Sequence, residues 1–291
     1  MKNDEKQVAE IIGGLFPDKK IEMCARMGGL TNRTYCIKTD MGNYAVRLPG
    51  VGTEEIINRL DEKESTMLAC DLGIDSKLYY FDSDTGIKVM QYIDNSITMN
   101  AEKLRQDDSI IKVANVLKKL HTCQKDTKVQ FDVIKMAETY EEYIVKNNGF
   151  FYDDYEEVKE YINKIRNEYL VNVNRVPCHN DPLCENWILQ NNGKMYLIDW
   201  EYAGMNDPMW DLADVSIEAD YTDEMNMLLL TSYFDRVPTK LEEAAFKINK
   251  VLIDYLWSLW GKTSAVNNGE EMEEYAKIRY ERMKKNMTYL G

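Results

Sequence analysis

The period of the apolar positions changes along this chain, and the change predicts two regions with different secondary structure. In the first region, short apolar runs separated by turn residues predict antiparallel strands at 21–27, 35–39, 44–48, 78–81 and 87–92. A helix is predicted at 3–16 and a second at 53–72, with Thr53 as its N-terminal cap and Gly73 at its end. A small unit with an antiparallel sheet is therefore expected first.

From residue 101 onward the apolar positions follow a helical period. One stretch repeats them at intervals of three and four residues, at Ile110, Val113, Ala114, Leu117 and Leu120. This pattern predicts a helix that ends near His121, whose side chain we expect to be structural. Further helices are predicted at 133–148, 154–171, 207–219 and 223–234, followed by two long helices at the C terminus. The second region should be larger and mainly helical.

The segment at 176–202 interrupts the helices with a predicted hairpin. Two apolar runs flank an Asn-Asn-Gly turn at 191–193, where Asn and Gly accept positive φ angles. Since a tight turn places its strands side by side, Asn186 and Asp199 are expected at the same edge, with Asp181 in the loop just before them. Three oxygen-bearing side chains should therefore converge.

These side chains match the requirements of phosphoryl transfer from ATP. That reaction needs a carboxylate to orient the attacking hydroxyl group and oxygen ligands that hold Mg²⁺ on the phosphates. The spacing His179-x-Asp181-x-x-x-x-Asn186, followed by a hairpin and Asp199, is that of a kinase catalytic loop and its metal-binding Asp. A polar loop before an ordinary hairpin is the alternative. The complete set is much rarer by chance than a lone His-x-Asp, so the sequence favours a kinase.

Composition narrows the range of partners. The chain of 291 residues has a formal net charge of −14, which disfavours nucleic-acid backbones and anionic membranes and suits a cationic ligand. Six Cys without a Cys-x-x-Cys pair, together with only two His, disfavour a zinc site. The charged N terminus is unlike a signal peptide, and no apolar run is long enough to span a bilayer, so we expect a cytoplasmic protein.

The motifs also carry a family resemblance. Val-Pro-Cys-His-Asn-Asp-Pro at 176–182 and Ile-Asp-Trp-Glu-Tyr-Ala at 198–203 resemble the choline/ethanolamine kinases, within the wider aminoglycoside phosphotransferase group. The second motif lacks the Phe-Gly that follows the metal-binding Asp of protein kinases, which fits this group. The resemblance runs from about Gly28 to the C terminus. It implies a two-lobe, protein-kinase-like α+β fold, with a nucleotide-binding lobe at 1–93 and a larger, mainly helical catalytic and choline-binding lobe at 94–291.

The resemblance also implies a set of ATP contacts. A Gly-rich turn lets backbone N–H groups approach phosphates, and its expected ligands are Gly28, Gly29, Thr31 and Asn32. Arg47 stands where protein kinases carry Lys and can make forked phosphate contacts. A carboxylate on the next helix should anchor Arg47; the pattern Ile-Asn-Arg-x-x-Glu favours Glu62, and Glu64 is the alternative. The adenine would meet backbone groups of the hinge at Gln91, Tyr92 and Ile93.

The implied reaction is ATP plus choline giving phosphocholine and ADP. Asp181 would orient the choline hydroxyl group and accept its proton, whereas Asn186 and Asp199 would hold Mg²⁺. Glu201 is expected to assist the metal, since alternate residues of a strand lie on the same side and Glu201 follows Asp199 by two positions.

A second group of residues suits a methylated cation. Trp257 and Trp260 lie three positions apart on one predicted helix face, and aromatic faces with a nearby carboxylate bind quaternary ammonium groups. Aromatic pairs at this spacing are more often core residues. The match to the choline-binding face of the family nevertheless implies that choline is bound by Asp181, Tyr202, Glu218, Trp257, Trp260, Tyr275 and Arg279.

Three alternatives remain open at this point. Ethanolamine, a primary amine, is the nearest rival substrate, and aminoglycosides are a further one that would call for a broader acidic pocket. A pseudokinase that only binds nucleotide is the rival of a different class, and intact Asp181, Asn186 and Asp199 argue against it. The sequence leaves the oligomeric state undecided.

Overall fold

Two units make up the chain, and each combines segments that are distant in the sequence. The computed structural model describes residues 2–28, 32–50 and 58–290. The first unit comprises Met1–Asn100 and Glu185–Ala203, and the second comprises Ala101–Cys184 and Gly204–Gly291. The predicted division after residue 93 cuts the chain only once. The structure instead assigns the hairpin after Cys184 to the first unit, because a strand just beyond residue 93 pairs with it.

The first unit contains an antiparallel sheet in the order β1-β2-β3-β5-β4, as the sequence predicts. Its helices and strands are α1 (Lys2–Leu15), β1 (Ile21–Gly28), β2 (Arg33–Thr39), β3 (Gly42–Leu48), α2 (Arg59–Asp71), β4 (Leu78–Phe81) and β5 (Lys88–Gln91). Alternate residues of β2 and β3 point to one face, where Tyr35, Ile37 and Val46 are buried. Val8 and Ile12 of α1 belong to the same apolar cluster.

Helix α2 presents a polar buried face instead of an apolar one. The side chain of Asn58 caps it by accepting hydrogen bonds from the N–H groups of Leu60 at 3.1 Å and Asp61 at 3.4 Å. The cap predicted at Thr53 lies outside the described residues, and the described helix begins at Arg59. The buried positions of this helix include Arg59 and Glu62, so charged groups lie where an amphipathic pattern would place apolar ones.

The predicted hairpin is present in the first unit, as part of a sheet in the order β6-β8-β9. These strands are β6 (Ser96–Thr98), β8 (Trp187–Gln190) and β9 (Met195–Leu197). Gly193 in the turn has a φ of 88°, as predicted for this position. The Ile198 N–H group donates to the Asn186 carbonyl at 3.0 Å. Asn186 and the residue before Asp199 are therefore neighbours across the hairpin, as expected.

The second unit is mainly helical. Its helices are α3 (Ala101–Leu104), α4 (Asp107–His121), α5 (Val133–Lys146), α6 (Tyr155–Glu168), α7 (Pro208–Glu218), α8 (Asp223–Phe234), α9 (Lys240–Asn268) and α10 (Glu270–Met287). A short ribbon joins β7 (Val176–Cys178) to β10 (Gly204–Asn206), and neither strand was predicted. Helical structure begins at Ala101 and α4 ends at His121, as predicted, and Gln106, which has an extended conformation with ψ of 134°, separates α3 from α4. The α+β class is confirmed.

Helix α9 lies at the centre of the second unit and packs against α5, α7 and α10. Val251, Leu252, Ile253 and Leu256 are all fully buried, so this helix is apolar on several sides, as a central helix must be. In the part of the chain that the structure describes, no helix combines the length and the apolar character required to cross a bilayer.

Adjacent isoleucines of α4 provide a test of this packing. Ile110 is fully buried and Ile111 is 40% exposed. Ile110→Ala should lower the free energy of unfolding by about 2–5 kcal/mol, because it removes buried methyl groups and leaves a cavity. Ile111→Ala makes the same chemical change with the same helix propensity, so it is the matched control. Urea unfolding gives the free energy of unfolding of both variants. Equal losses in the two variants would contradict the burial of Ile110.

Candidate active site

Arg47 and Glu62 form a buried ion pair in the first unit. Arg47 Nη1 contacts Glu62 Oε1, and Nη2 lies 2.9 Å from Oε2, so the contact has the forked geometry typical of Arg and carboxylate. Arg47 Nη2 also donates to the Gly86 carbonyl at 3.1 Å. Glu64 is exposed. The predicted pairing of Arg47 with Glu62 is therefore confirmed, and the alternative is excluded.

Two further cations contact Glu62, and sequence analysis missed both. Arg59 Nη1 lies 2.7 Å from Glu62 Oε2, and Lys88 Nζ lies 3.0 Å from Oε1. Lys88 stands opposite Arg47 in the pairing of β3 with β5, a register that no local pattern specifies. Burial alone would raise the pKa of Glu62, but Lys88 and Arg47 outweigh it and hold the pKa well below the ordinary value.

Two more carboxylates lie beside this cluster. Asp199 Oδ1 is 3.7 Å from Arg47 Nη1, and its side chain is 38% exposed. Its φ of 70° is uncommon for a residue other than Gly and is typical of functional positions. Glu201 Oε2 accepts a hydrogen bond from Asn32 Nδ2 at 3.0 Å and lies 3.5 Å from Arg59 Nη1. Burial, followed by the charge of Asp199, raises the pKa of Glu201.

The argument that placed Glu201 beside Asp199 was wrong in one respect. Strand β9 ends at Leu197, and Asp199 has a left-handed backbone, so alternation along a strand does not apply to these residues. Both carboxylates nevertheless lie near Arg47, at 3.7 Å for Asp199 and 4.0 Å for Glu201. Arg47 and the fold of the chain after β9 bring them together.

Oxygen donors of the kind that Mg²⁺ prefers are present at this edge of the hairpin. Asp199 offers a partly exposed carboxylate, Asn186 an amide at the start of β8, and Glu201 a second carboxylate. Hard divalent cations take carboxylate and carbonyl oxygens as ligands. The side chains present in the first unit therefore fit a Mg²⁺ ion.

A pocket of about 190 Å³ lies along the predicted hinge and is lined in part by Gln91, Tyr92 and Ile93. The N–H groups of Gln91 and Tyr92 donate to the carbonyls of Lys77 at 2.7 Å and Asn43 at 3.0 Å. These two N–H groups therefore already have partners. Adenine binding at this pocket stays a prediction.

Asp75 lines the same pocket and is buried. Burial raises its pKa to about 6. The Trp200 indole N–H donates to Asp75 Oδ2 at 3.1 Å. This hydrogen bond gives the buried indole nitrogen of Trp200 a partner.

In the second unit, Asp211 anchors the loop that carries Asp181. The Asp211 carboxylate accepts hydrogen bonds from the backbone N–H groups of His179 at 2.7 Å and Asn180 at 2.8 Å. The Asn180 carbonyl accepts a hydrogen bond from the Trp210 indole N–H at 3.0 Å, and Asn180 has a φ of 68°. Trp210 and Asp211, at the start of α7, therefore hold the backbone turn that precedes Asp181.

His121 supports this anchor, which confirms its expected structural role. Its Nε2 lies 3.1 Å from Asp211 Oδ2 and its Nδ1 lies 2.9 Å from the Tyr233 hydroxyl. Cys178 completes a group of three possible metal ligands with His121 and Asp211. Because both ring nitrogens and both carboxylate oxygens already have protein partners, this group serves as a hydrogen-bonded support for the loop.

The predicted aromatic residues lie together in the second unit. The ring centroids of Trp257 and Trp260 are 6.2 Å apart at an interplanar angle of 90°, and those of Trp260 and Tyr275 are 5.8 Å apart at 77°. Gly261 permits this approach of α10 to α9, because a Cβ atom there would lie 2.8 Å from the Tyr275 ring. Sequence analysis missed Gly261, whose role depends on contacts between two helices.

Arg279 lies beside Glu218 and Tyr275, two of the other predicted choline ligands, and its own part in choline binding stays a prediction. Its Nη1 lies 2.6 Å from Glu218 Oε1; the atoms are not aligned for a hydrogen bond, so the contact is an ion pair. Its guanidinium group lies 4.9 Å from the centre of the Tyr275 ring. A cation already held by Glu218 and Tyr275 cannot itself attract a cationic substrate. Arg279 therefore positions the predicted ligands, and it also contacts Asp254 at 3.4 Å.

Asp181 lies close enough to this cluster to influence its titration. Burial raises the pKa of Tyr275 to about 12, and the charges of Glu218 and Asp181 contribute in the same direction. Burial and then the charge of Asp181 raise the pKa of Tyr140. Asp181, Glu218 and Tyr275 are thus brought together within the second unit.

Some residues of the predicted site are assigned neither to the ion-pair cluster around Glu62 nor to the aromatic cluster. Gly28 ends β1, whereas Gly29 and Thr31 lie outside the described residues. Tyr202 belongs to the first unit, so its predicted part in cation binding stays a prediction.

Comparisons with known proteins agree with the resemblance that the motifs suggested. A family model described as choline/ethanolamine kinase matches residues 23–245. The LicA protein of Haemophilus influenzae is 27% identical over 259 residues, which cover 85% of this chain and 94% of that protein.

Solved structures extend this similarity to the whole fold. The crystal structure of the choline kinase LicA from Streptococcus pneumoniae is 35% identical to this chain, with a TM-score of 0.84 and coverage of 99% of both chains. A crystal structure of LicA in complex with AMP is 34% identical, with a TM-score of 0.81 and the same coverage. The fold of the described residues is therefore that of these kinases.

Glu62 and Glu64 form a matched pair for testing the buried cluster. Glu62→Gln should destabilise the protein by about 3–5 kcal/mol, because it leaves three buried cations without their common counter-charge. Glu64→Gln changes an exposed residue of the same helix and should have little effect.

The pH dependence of unfolding tests the same cluster. Because the pKa of Glu62 is lowered, its ion pairs contribute stability that is complete above the ordinary value of 4.5 and is lost as the pH falls. Wild-type protein should therefore lose more stability than Glu62→Gln between about pH 5 and pH 3 in urea unfolding. Parallel losses in the two proteins would contradict the assignment.

Proposed function

Because the chain belongs to the choline/ethanolamine kinase family, we propose that it transfers the terminal phosphoryl group of ATP to the hydroxyl group of choline. The chain is a kinase that uses a nucleotide and acts on a small molecule. The observation that carries the choice of choline is the cluster in the second unit, where Trp257, Trp260 and Tyr275 lie with Glu218 and Asp181. The products are phosphocholine and ADP.

Asp181 is the proposed base. A carboxylate that accepts a hydrogen bond from the choline hydroxyl group orients it for attack and takes its proton as the new P–O bond forms. Asp211 supports this role, because it holds the backbone of His179 and Asn180 immediately before Asp181. Precise placement is what such a group contributes, since small displacements reduce the rate strongly.

The hairpin residues are the proposed metal ligands. Asn186 and Asp199 would hold Mg²⁺, with Glu201 assisting. The ion would neutralise charge on the phosphate oxygens. Arg47 is suited to the phosphates because its guanidinium group is fixed by Glu62 while its Nε–H group has no hydrogen-bond partner among the described residues. Gly28 to Asn32 remain the proposed phosphate loop.

The pocket at Gln91, Tyr92 and Ile93 is the proposed adenine site. The choline nitrogen would lie against the faces of Trp257, Trp260 and Tyr275, since quaternary ammonium groups interact with aromatic faces and cannot donate ordinary hydrogen bonds. Glu218 supplies negative charge and Arg279 holds it in position. A cytoplasmic location, and the lack of nucleic-acid or membrane partners, stay predictions from the sequence.

The proposed base can be tested with a control from its own loop. Asp181→Asn should lower kcat by at least about 10²-fold and leave Mg-ATP binding nearly unchanged, because it removes a proton acceptor. Glu185→Gln changes an exposed carboxylate of the same loop and should behave as wild type. Steady-state kinetics and calorimetry give the two quantities. Near-normal turnover of Asp181→Asn would remove Asp181 from the mechanism.

Substrate choice can be tested in the wild type by comparing kcat/KM for choline, ethanolamine and an aminoglycoside. Choline should be preferred, because the cluster offers aromatic faces to its methyl groups. Trp260→Ala should raise KM for choline by about tenfold or more, since a desolvated cation–π contact is worth about 2 kcal/mol.

Phe150→Ala removes a ring that is 81% exposed and is the matched control. KM for ATP should not change in either variant. A preference for ethanolamine would refute the choline assignment and leave the kinase activity intact, whereas no turnover with any amino alcohol would favour the pseudokinase.

A further inference from the structure

Asp214 carries a buried carboxyl group that neither the motifs nor the proposed mechanism accounts for. Asp214 occupies α7 between Asp211 and Glu218, and the three positions lie on one helix face. Its side chain is fully buried. Neither Oδ1 nor Oδ2 has a hydrogen-bond partner among the described residues. Buried carboxylates without partners are rare, because their desolvation is costly.

The surroundings of Asp214 are mostly acidic. Glu218, Asp181 and Asp211 are near enough for their charges to act on it, and so is the cation Arg279. Arg279 is already shared between Glu218 at 2.6 Å and Asp254 at 3.4 Å. Burial, followed by the charge of Glu218 and then of Asp181, raises the pKa of Asp214 well above its ordinary value. With no hydrogen-bond donor among the described residues and with acidic neighbours, the neutral form of Asp214 is favoured in this arrangement.

We propose that Asp214 is a switchable counter-ion for the substrate: it carries a proton in the substrate-free enzyme and loses that proton to solvent when the cationic nitrogen enters the aromatic cluster. This inference rests on the proposed choline kinase function and extends it. The cation adds one positive charge next to Asp214, Glu218 and Asp181. Ionisation of Asp214 then compensates the added charge in a site that excludes water.

In this step the released proton comes from Asp214. The quaternary nitrogen of choline carries no proton, so a proton released on binding must come from the protein. The O–H bond of Asp214 breaks, the electron pair stays on the carboxylate, and the proton passes to the buffer.

The other groups of the cluster are poor sources of this proton. Glu218 is paired with Arg279, and Asp211 accepts two backbone hydrogen bonds. The pKa of Tyr275 is about 12. Other titratable or charged groups on the elements around α7 include His121, Tyr140, Cys178, His179, Asp181, Tyr233, Lys250, Asp254, Tyr255, Arg279 and Arg282.

The experiment is titration calorimetry of the full-length protein with choline, in buffers of different ionisation enthalpy between pH 6 and pH 9. About one proton should be released per choline bound at the lower pH values, and the choline Kd should fall by up to about tenfold per pH unit until release ends. The neutral isostere 3,3-dimethylbutan-1-ol has the same shape without the charge, so its binding should release no proton.

Two variants identify the group. Asp214→Asn keeps the size of the side chain but cannot ionise, so proton release and the pH dependence of the choline Kd should both disappear. Asp220→Asn removes a carboxylate just after α7 whose side chain is 93% exposed, and it should retain both. If Asp214→Asn does not fold, the comparison of choline with its neutral isostere in the wild type still decides whether a charge-coupled proton is released.

The possible outcomes separate this inference from the proposed function. Choline binding without proton release, equal release with the neutral isostere, or unchanged release in Asp214→Asn would overturn the role of Asp214 and leave the kinase activity standing. Failure of choline to bind or to be phosphorylated would overturn both proposals.

Discussion

One carboxylate, Asp211, fixes the loop on which the proposed chemistry depends. It receives two backbone N–H groups and the ring of His121, and all of these groups are buried. A buried anion with three donors is stable because each partner offsets part of its desolvation. The same contacts hold the backbone before Asp181 in a conformation that includes a positive φ at Asn180. The position of the proposed base thus follows from the need to satisfy a charge behind it.

The first unit also contains buried charges that need partners, and most of them are cations. Arg47, Arg59 and Lys88 are buried around the single carboxylate of Glu62. Together with Asp199 and Glu201 at longer distances, three carboxyl groups accompany the three cations, so the formal charges of the cluster balance. The buried ion pairs fix the position of Arg47, the proposed phosphate ligand, in the first sheet.

Three carboxyl groups on helix α7 have different surroundings because they occupy different positions. Asp211, Asp214 and Glu218 lie on one face, yet the first accepts backbone N–H groups, the third pairs with Arg279, and the second has no partner among the described residues. A kinase for a cationic alcohol needs negative charge near the nitrogen, but negative charge that is permanently buried without a partner would destabilise the empty enzyme. A carboxyl group that ionises only with substrate resolves this conflict.

Local patterns were sufficient to predict much of this protein. The periods of the apolar residues predicted the strands of the first sheet, the helices of the second unit and the hairpin that brings Asn186 beside Ile198, because these features depend on neighbours in the chain. Motif spacing indicated the kinase family and the Trp257–Trp260 pair. The contacts of Arg59 and Lys88 with Glu62, the ion pair of Arg279 with Glu218 and the isolation of Asp214 were beyond prediction. They arise from contacts between residues far apart in the sequence, and the register of strands and the packing of helices decide which charges meet.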